Sequence, residues 1–293
     1  MFDYNYREPK VIAEIGCNHK GEFDVACELI DLAKLANVNI IKLQKRSNKE
    51  LGYLKQYELP HPEPSNAYGS TYGKHRERLE LSISQHGALK SYCEERGMIY
   101  STSVWDVTSA REIISLDPEF IKVPSACNTN KDLLTVLRDE YQGQIHVSFG
   151  MTTHQEEELV VQTFEEDNSA AKRLVVYCCT SGYPVPFRDL CLLEINRLYQ
   201  KFTGRVSEIG FSGHHLGISA DIAAYTLGAR WIERHFTKDR TWKGTDHAAS
   251  LEPQGLATLS RNLNAVHESL NYKSQEILNI EDIQREKLKC PAQ

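Results

Sequence analysis

Short apolar runs alternate with longer stretches of helical periodicity along most of the chain. KVIAEIG (10–16) is almost continuously apolar, as a strand buried on both faces should be. GEFDVACELIDLAKLANV follows with apolar residues at helical spacing. The pair then repeats. Further strands are predicted at IIKLQK (40–45), MIYSTSV (98–104), FIKVPS (120–125), QIHVSFG (144–150), LVVYCC (174–179), EIGFSG (208–213) and RWIERHF (230–236). Helical patterns separate them: TSAREIISL, KDLLTVLRDEY, HQEEELVVQTFEED, RDLCLLEINRLYQKF and ISADIAAYTLGA, with EPQGLATLSRNLNAVHESL last. Eight such units predict an α/β fold, a single (β/α)8 TIM barrel over residues 1–270. An open doubly wound sheet is the alternative, weakened by the absence of GxGxxG after the first strand. Residues 271–293 read as a polar tail with one short helical piece, IEDIQREKL, and no second domain is expected.

One stretch breaks the rhythm. Residues 46–75 are rich in Pro, Gly, Ser, Asn and Tyr, and a loop of that length in a compact domain is usually functional. Its Tyr53, Tyr57, Asn66, Tyr68 and Tyr72 suit sugar C–H faces and hydroxyls, so it is expected to form a lid over the active site, with dimer contacts as the alternative role.

Composition narrows the function. The net charge of −6 gives no nucleic-acid or anionic-membrane footprint. No apolar run approaches the roughly 18 residues that span a bilayer, and MFDYNYREPK has no signal-peptide core. The eight cysteines are scattered without a CxxC pair, which reads as reduced thiols in a cytoplasmic protein.

In a barrel, chemistry collects at the C-terminal ends of the strands. The chain delivers there Glu14, then Lys42 and Gln44, then Thr102 and Ser103, Lys122 and Ser125, and Ser148. Thr180, Ser181 and Tyr183 follow strand six, Ser212 and His214 belong to strand seven, and Glu233 and His235 to strand eight. Two imidazoles at one sheet edge can share a divalent ion. Two lysines with several hydroxyls suit a phosphorylated, carboxylated anion. From the residues alone, this is a metal-dependent lyase or transferase acting on a phosphate ester, with structural ion pairs inside the barrel as the competing explanation of each charge.

The pieces IAEIGCNHKG, IIKLQ, MIYSTSVWD, IKVPSACN, VSFGMTT, CCTSGYPVP, GFSGHHLGISADIAAYTLGARWIERHFT and GTDHAASLEP occur in this order over residues 10–255. As a set they resemble the sialic acid (N-acetylneuraminate) synthases, which belong to the phosphoenolpyruvate-dependent synthases of 3-deoxy-2-ulosonic acids. The resemblance implies condensation of phosphoenolpyruvate with an open-chain aldose, with Mn2+ or a similar divalent ion such as Mg2+ or Co2+. It implies His214 and His235 as metal ligands. Lys42, Ser103, Lys122, Ser125, Ser148 and Ser212 would surround phosphoenolpyruvate. Glu14 would hold the attacking water or the sugar oxygen, and Gln44, Tyr183 and Asp246 would face the sugar. Expected partners are these small molecules, with a homodimer as the candidate assembly.

Three departures stand out. Gly213 replaces the acid that usually precedes the strand-seven histidine, and a second histidine follows, His215, expected at the surface or as an auxiliary ligand. Cys127 stands where the relatives have a sugar-binding Glu, so the acceptor is expected to differ from N-acetylmannosamine or to bind more weakly than it does. The sequence ends before the antifreeze-like domain usual in the relatives. Of the smaller motifs, His19 in the first strand–helix loop is a candidate to approach the substrate, Cys178-Cys179 reads as core, and His247 is left without a role. Competing functions are a Schiff-base pyruvate aldolase using Lys122 and a degenerate, non-catalytic sugar-binding barrel.

Overall fold

The computed structural model describes residues 6–52 and 54–290. Tyr53, one of the tyrosines assigned above to the lid, lies outside them. In chain order the elements are β1 (Lys10–Gly16), α1 (Phe23–Leu35), β2 (Ile40–Lys45), α2 (Asn48–Leu51), α3 (Tyr72–Leu79), α4 (Ile83–Glu94), β3 (Ile99–Val104), α5 (Val107–Ile114), β4 (Phe120–Val123) and α6 (Lys131–Glu140). They continue with β5 (Gln144–Ser148), α7 (His154–Glu165), α8 (Ala170–Arg173), β6 (Leu174–Cys179), α9 (Glu194–Phe202), β7 (Glu208–Gly213), α10 (Ser219–Thr226), β8 (Trp231–His235), α11 (Pro253–Ser269) and α12 (Asn279–Leu288).

The eight strands pair in sequence order, all parallel, and β8 closes on β1. The predicted (β/α)8 barrel is therefore present, with four strands at their predicted limits and the other four shorter by one or two residues. Two regions differ more. The stretch 46–75 is ordered rather than irregular, with α2, two 3-10 turns and the start of α3, whose N-cap Thr71 accepts from the Lys74 N–H. The long pattern RDLCLLEINRLYQKF yields a shorter helix, because Cys191 takes a left-handed backbone (φ 49°) and α9 starts only at Glu194.

Two apolar clusters explain the strand pattern. The large one lies between the barrel and its helices. The small one is Ile12, Ile40, Phe120, Val175, Tyr177 and Trp231. Five of these six sit two residues before a polar side chain on the same inward face: Ile12 before Glu14, Ile40 before Lys42, Phe120 before Lys122, Tyr177 before Cys179 and Trp231 before Glu233, while Val175 stands one step lower, two residues before Tyr177. The barrel interior is apolar in its lower layer and polar in its upper layer. His146 joins the lower layer, stacked on Phe120 at 4.1 Å and bonded through Nδ1 to the Tyr177 hydroxyl at 2.8 Å.

Several histidines are held neutral by burial. Burial lowers His19 to about 4 and His86 to about 3 from an ordinary value of 6.5. Both values lie below those of the unfolded chain, so as pH falls the unfolded state takes up protons first. This stability is fully present above about pH 6.5 and drains away as pH drops toward the folded values. The thermal midpoint is expected to fall between about pH 7 and about pH 5, where most carboxylates are still ionised. His86→Gln should flatten that slope in a melting series; an unchanged slope would exclude His86 as a contributor.

Candidate active site

Strand register builds the upper layer. Glu14 pairs across the ladder with Lys42 on one side and His235 on the other. Gln44 is level with Ser103, Ser103 with Lys122, and Ser212 with Glu233. Their side chains converge on a cavity of about 340 Å3 at the C-terminal mouth. It is lined by Glu14, Lys42, Gln44, Ser103, Lys122, Ser125, Ser148, Tyr183, Ser212, His214 and His235, eleven of the twelve residues assigned above. A second cavity of about 490 Å3 shares Met151, Cys179 and Ser181 with it. That one holds the Arg197–Glu157 ion pair and neither the lysines nor the two imidazoles, so the chemistry belongs to the smaller cavity.

The floor is a network of four buried charges. The Lys42 ammonium lies 2.5 Å from Glu14 Oε2, donates to Ser103 Oγ at 2.6 Å, and stands 3.7 Å from Glu233 Oε1. Lys122 donates to Glu233 Oε2 at 2.8 Å and sits over the Tyr177 ring at 3.8 Å. Ser212 Oγ donates to Glu233 Oε1 at 3.2 Å. Burial opposes ionisation of Glu233, but Lys122 and Lys42 together outweigh it and hold the carboxyl at about 2. Glu14 shifts the other way: burial and the Glu233 charge push it up against the pull of Lys42. Burial also lowers Lys122, with Glu233 opposing.

Beside this network stand the imidazoles, ring centroids 5.4 Å apart, with the Tyr183 ring 4.5 Å from His214 and 6.0 Å from His235. His214 Nδ1 faces the Thr180 carbonyl oxygen at 3.3 Å, which leaves Nε2 free. His235 Nδ1 is buried without a partner. Burial and the neighbouring His235 lower His214 to about 3, so it is a neutral imidazole at pH 7, the form that binds metal. This donor set fits a divalent ion held by two protein nitrogens and otherwise by substrate or water oxygens. Among the described residues no group of three or more His, Cys, Asp or Glu gathers to hold a metal.

Close approach explains two glycines. At Gly150 a Cβ would stand 2.5 Å from Ser181 Oγ and 2.6 Å from Ser125 Oγ, so only glycine lets that turn press on both hydroxyls. At Gly213 it would meet the Phe211 ring at 2.7 Å and His215 at 3.0 Å, so an acid there would require those rings to move.

Other expectations need correction. Asp246 is not among the residues that line the cavity, but it lies close to its edge, near His235, His214 and the guanidinium groups of Arg76 and Arg46, and its sugar-facing role stays an expectation. His215 is neither a surface residue nor part of the cavity wall: it is fully buried, 3.3 Å from Asp221 and 3.2 Å from the Arg234 guanidinium. His19 is buried and accepts from the Gly21 N–H at 3.0 Å, away from the cavity lining. Cys179 lines the cavity while Cys178 is core, and burial raises both thiols. Cys127 donates to the Trp105 carbonyl at 3.2 Å. None of Tyr57, Asn66, Tyr68 and Tyr72 reaches the cavity; Asn66 and Tyr68 bind the backbone of Gly244 and Lys243, fastening the 46–75 stretch to the segment after β8. Arg46, Arg76 and Trp105 were missed. Arg46 had a signal, since it continues the inward alternation Lys42, Gln44; Arg76 lies in α3 and had none.

A sequence model of the NeuB family matches residues 29–275. The chain belongs to the NeuB family. It is 35% identical over 278 residues to human N-acetylneuraminate-9-phosphate synthase, covering 95% of this chain and 76% of that one. It is 28% identical over 260 residues to the N,N'-diacetyllegionaminic acid synthase of Campylobacter jejuni, covering 89% and 77%. The crystal structure of N-acetylneuraminic acid synthetase from Leptospira borgpetersenii superposes with a TM-score of 0.80 at 26% identity, covering 96% of this chain and 92% of that one. The NeuB chain is an enzyme of the synthase kind, similar to proteins that make sialic and related nonulosonic acids. No described helix is long and apolar enough to cross a membrane.

The charge network yields a test that needs no substrate. Glu233→Gln leaves two buried ammonium groups facing one carboxylate, a change expected to cost about 3–5 kcal/mol. The thermal midpoint should drop by several degrees, and millimolar inorganic phosphate should restore part of the loss. A midpoint indifferent to both would show that the lysines do not depend on Glu233.

Proposed function

We propose that this NeuB enzyme condenses phosphoenolpyruvate with an open-chain, N-acetylmannosamine-like aldose, giving a 3-deoxy-2-ulosonic acid and phosphate. The observation that carries this reading is the convergence of two buried lysines, five serine hydroxyls, one raised carboxyl and two imidazoles on one cavity. Lys42 and Lys122 would exchange carboxylate contacts for the phosphate and carboxylate of phosphoenolpyruvate, with Ser103, Ser125, Ser148 and Ser212 as neutral donors. Gln44 and Tyr183, and Asp246 beside them, would meet the aldose. Relatives include synthases named for a 9-phosphate product and others named for acids without one, so the far end of the acceptor is the point that varies.

His214 and His235 would hold the divalent ion, Mn2+ first and Mg2+ or Co2+ as alternatives; when bound it supplies Lewis acidity toward the aldehyde oxygen. C3 of the enol attacks the aldehyde carbon, and that oxygen takes a proton as it becomes a hydroxyl. Water adds to the oxocarbenium at C2, its proton passing to Glu14, whose carboxylate burial and the Glu233 charge make more basic than an ordinary glutamate's. The hemiketal phosphate breaks at its C–O bond, leaving a keto group while Lys42 and Lys122 stabilise departing phosphate. The low proton affinity that burial gives Lys122 also favours a pyruvate Schiff base. Borohydride with pyruvate would trap that adduct; no trapping is expected.

The deciding experiment is formation of the sugar acid and phosphate from phosphoenolpyruvate across a panel of aldoses with Mn2+. EDTA should abolish turnover reversibly, and His214→Ala or His235→Ala should lower it at least about hundredfold. Full activity after exhaustive chelation would overturn the metal assignment. Phosphoenolpyruvate labelled with ¹⁸O at its bridging oxygen should pass the label to phosphate; label kept in the sugar acid would mean P–O cleavage. Lys122→Ala should raise KM for phosphoenolpyruvate about tenfold or more and shift KM for the aldose less, since a charge-assisted contact is lost. An effect confined to the aldose would reverse the placement.

A further inference from the structure

Lys122 is held by a group that the condensation leaves unused. Its ammonium donates to Glu233 Oε2 at 2.8 Å, and among the described residues no other group accepts from it. Its remaining close contact is the face of the Tyr177 ring, whose centroid lies 3.8 Å away. Tyr177 is fully buried and is not among the residues that line the cavity, so it acts on an anion only through the lysine.

Three features fix the ring at that spot. Across the ladder from Tyr177 stands Gly210, where a Cβ would lie 2.5 Å from the ring, so the tyrosine occupies a slot that a larger neighbour would close. The Tyr177 hydroxyl is bonded to His146 Nδ1 at 2.8 Å, and His146 is the ladder neighbour of Lys122 itself. That imidazole is stacked on Phe120 at 4.1 Å and meets the Trp231 ring edge-on at 4.5 Å. Its Nε2 is buried without a partner, a cost that an apolar side chain in the same place would not carry. Burial holds both groups neutral, raising the Tyr177 phenol well above its ordinary value and lowering the His146 imidazole well below its own.

Neutrality matters once an anion arrives. Lys122 then exchanges its carboxylate contact for the anion, and Glu233 becomes a competitor as well as a partner. A ring face attracts an ammonium through its quadrupole without neutralising the charge, most strongly where water is excluded. The ring contact therefore outlasts the exchange and leaves the full charge for the incoming ligand. We propose that Tyr177, pinned by His146 and admitted by Gly210, is a positioning residue that holds the Lys122 ammonium in place while its carboxylate partner gives way to phosphoenolpyruvate. This rests on the condensation proposed above, and the test separates the two ideas.

The test reads anion affinity from the rise of the unfolding midpoint with ligand concentration, which also shows whether each variant folds. Phosphoenolpyruvate and inorganic phosphate are titrated into the full chain without aldose. Tyr177→Met fills the volume without an aromatic face and should weaken binding of both anions about tenfold. Tyr177→Phe keeps the face and should stay within about threefold of the wild type. Gly210→Ala pushes the ring aside with its chemistry intact; it should weaken binding in the same direction, and it carries the result if Tyr177→Met fails to fold. In a Lys122→Ala background, Tyr177→Met should change neither affinity by more than about twofold. A merely structural tyrosine would cost the same with or without Lys122, so an equal loss in the two backgrounds overturns the positioning role, as does wild-type affinity in Tyr177→Met. If phosphate raises the wild-type midpoint and phosphoenolpyruvate does not, the condensation is overturned instead, while the phosphate series still reports on Tyr177. Binding of neither anion overturns both.

Discussion

Two buried ion pairs, Glu14 with Lys42 between neighbouring strands and Lys122 with Glu233 across the barrel, are the constraint on which the rest of the site depends. Four charges that are almost wholly removed from water cost more in lost hydration than their attraction returns, unless geometry and further hydrogen bonds are good. Here Ser103, Ser212 and Gln44 supply those bonds. An apolar layer of the same volume would stabilise the barrel at least as well. The network therefore makes sense as a site whose two ammonium groups are already desolvated and aimed before an anion arrives, so that little reorganisation remains.

The lower layer keeps this arrangement in place. Tyr177 lies beneath Lys122 and bonds to His146, which is wedged between Phe120 and Trp231. A second lock stands behind the imidazoles. Arg234 donates to Asp221 and to the carbonyls of His215 and Gly217, tying the turn after β7 to β8. His214 leaves that turn toward the cavity, and His215 turns back into the lock. Adjacent histidines thus take opposite fates, because successive residues at a strand end point to opposite sides of the wall.

The stretch 46–75 departs furthest from expectation. Its tyrosines suggested a sugar-facing lid, yet Tyr57 and Tyr72 pack on each other within the stretch and Tyr68 bonds to the segment after β8. What the stretch brings toward the cavity is Arg46 at its beginning and Arg76 just beyond it. Sequence reading favoured the abundant aromatic residues; the fold gave the position to two cations that composition did not mark.

Much of this protein was legible from the chain alone. A period of apolar runs and helical stretches specifies eight parallel strands, because strands covered on both faces must be apolar throughout. Charges that interrupt such runs mark strand ends where side chains can enter the barrel, and they picked out Glu14, Lys42, Lys122 and Glu233 without any contact being known. Pairing lay beyond that reading. Which carboxylate meets which lysine depends on barrel closure, which carries β4 and β8 to opposite sides of one interior. The depth of His215, the lock through Arg234 and Asp221, and the approach of Arg76 to Cys17 all join residues far apart in sequence. A chain pattern records which way a side chain faces within its own element; its partner is set by how the elements close, and only the tertiary structure decides that.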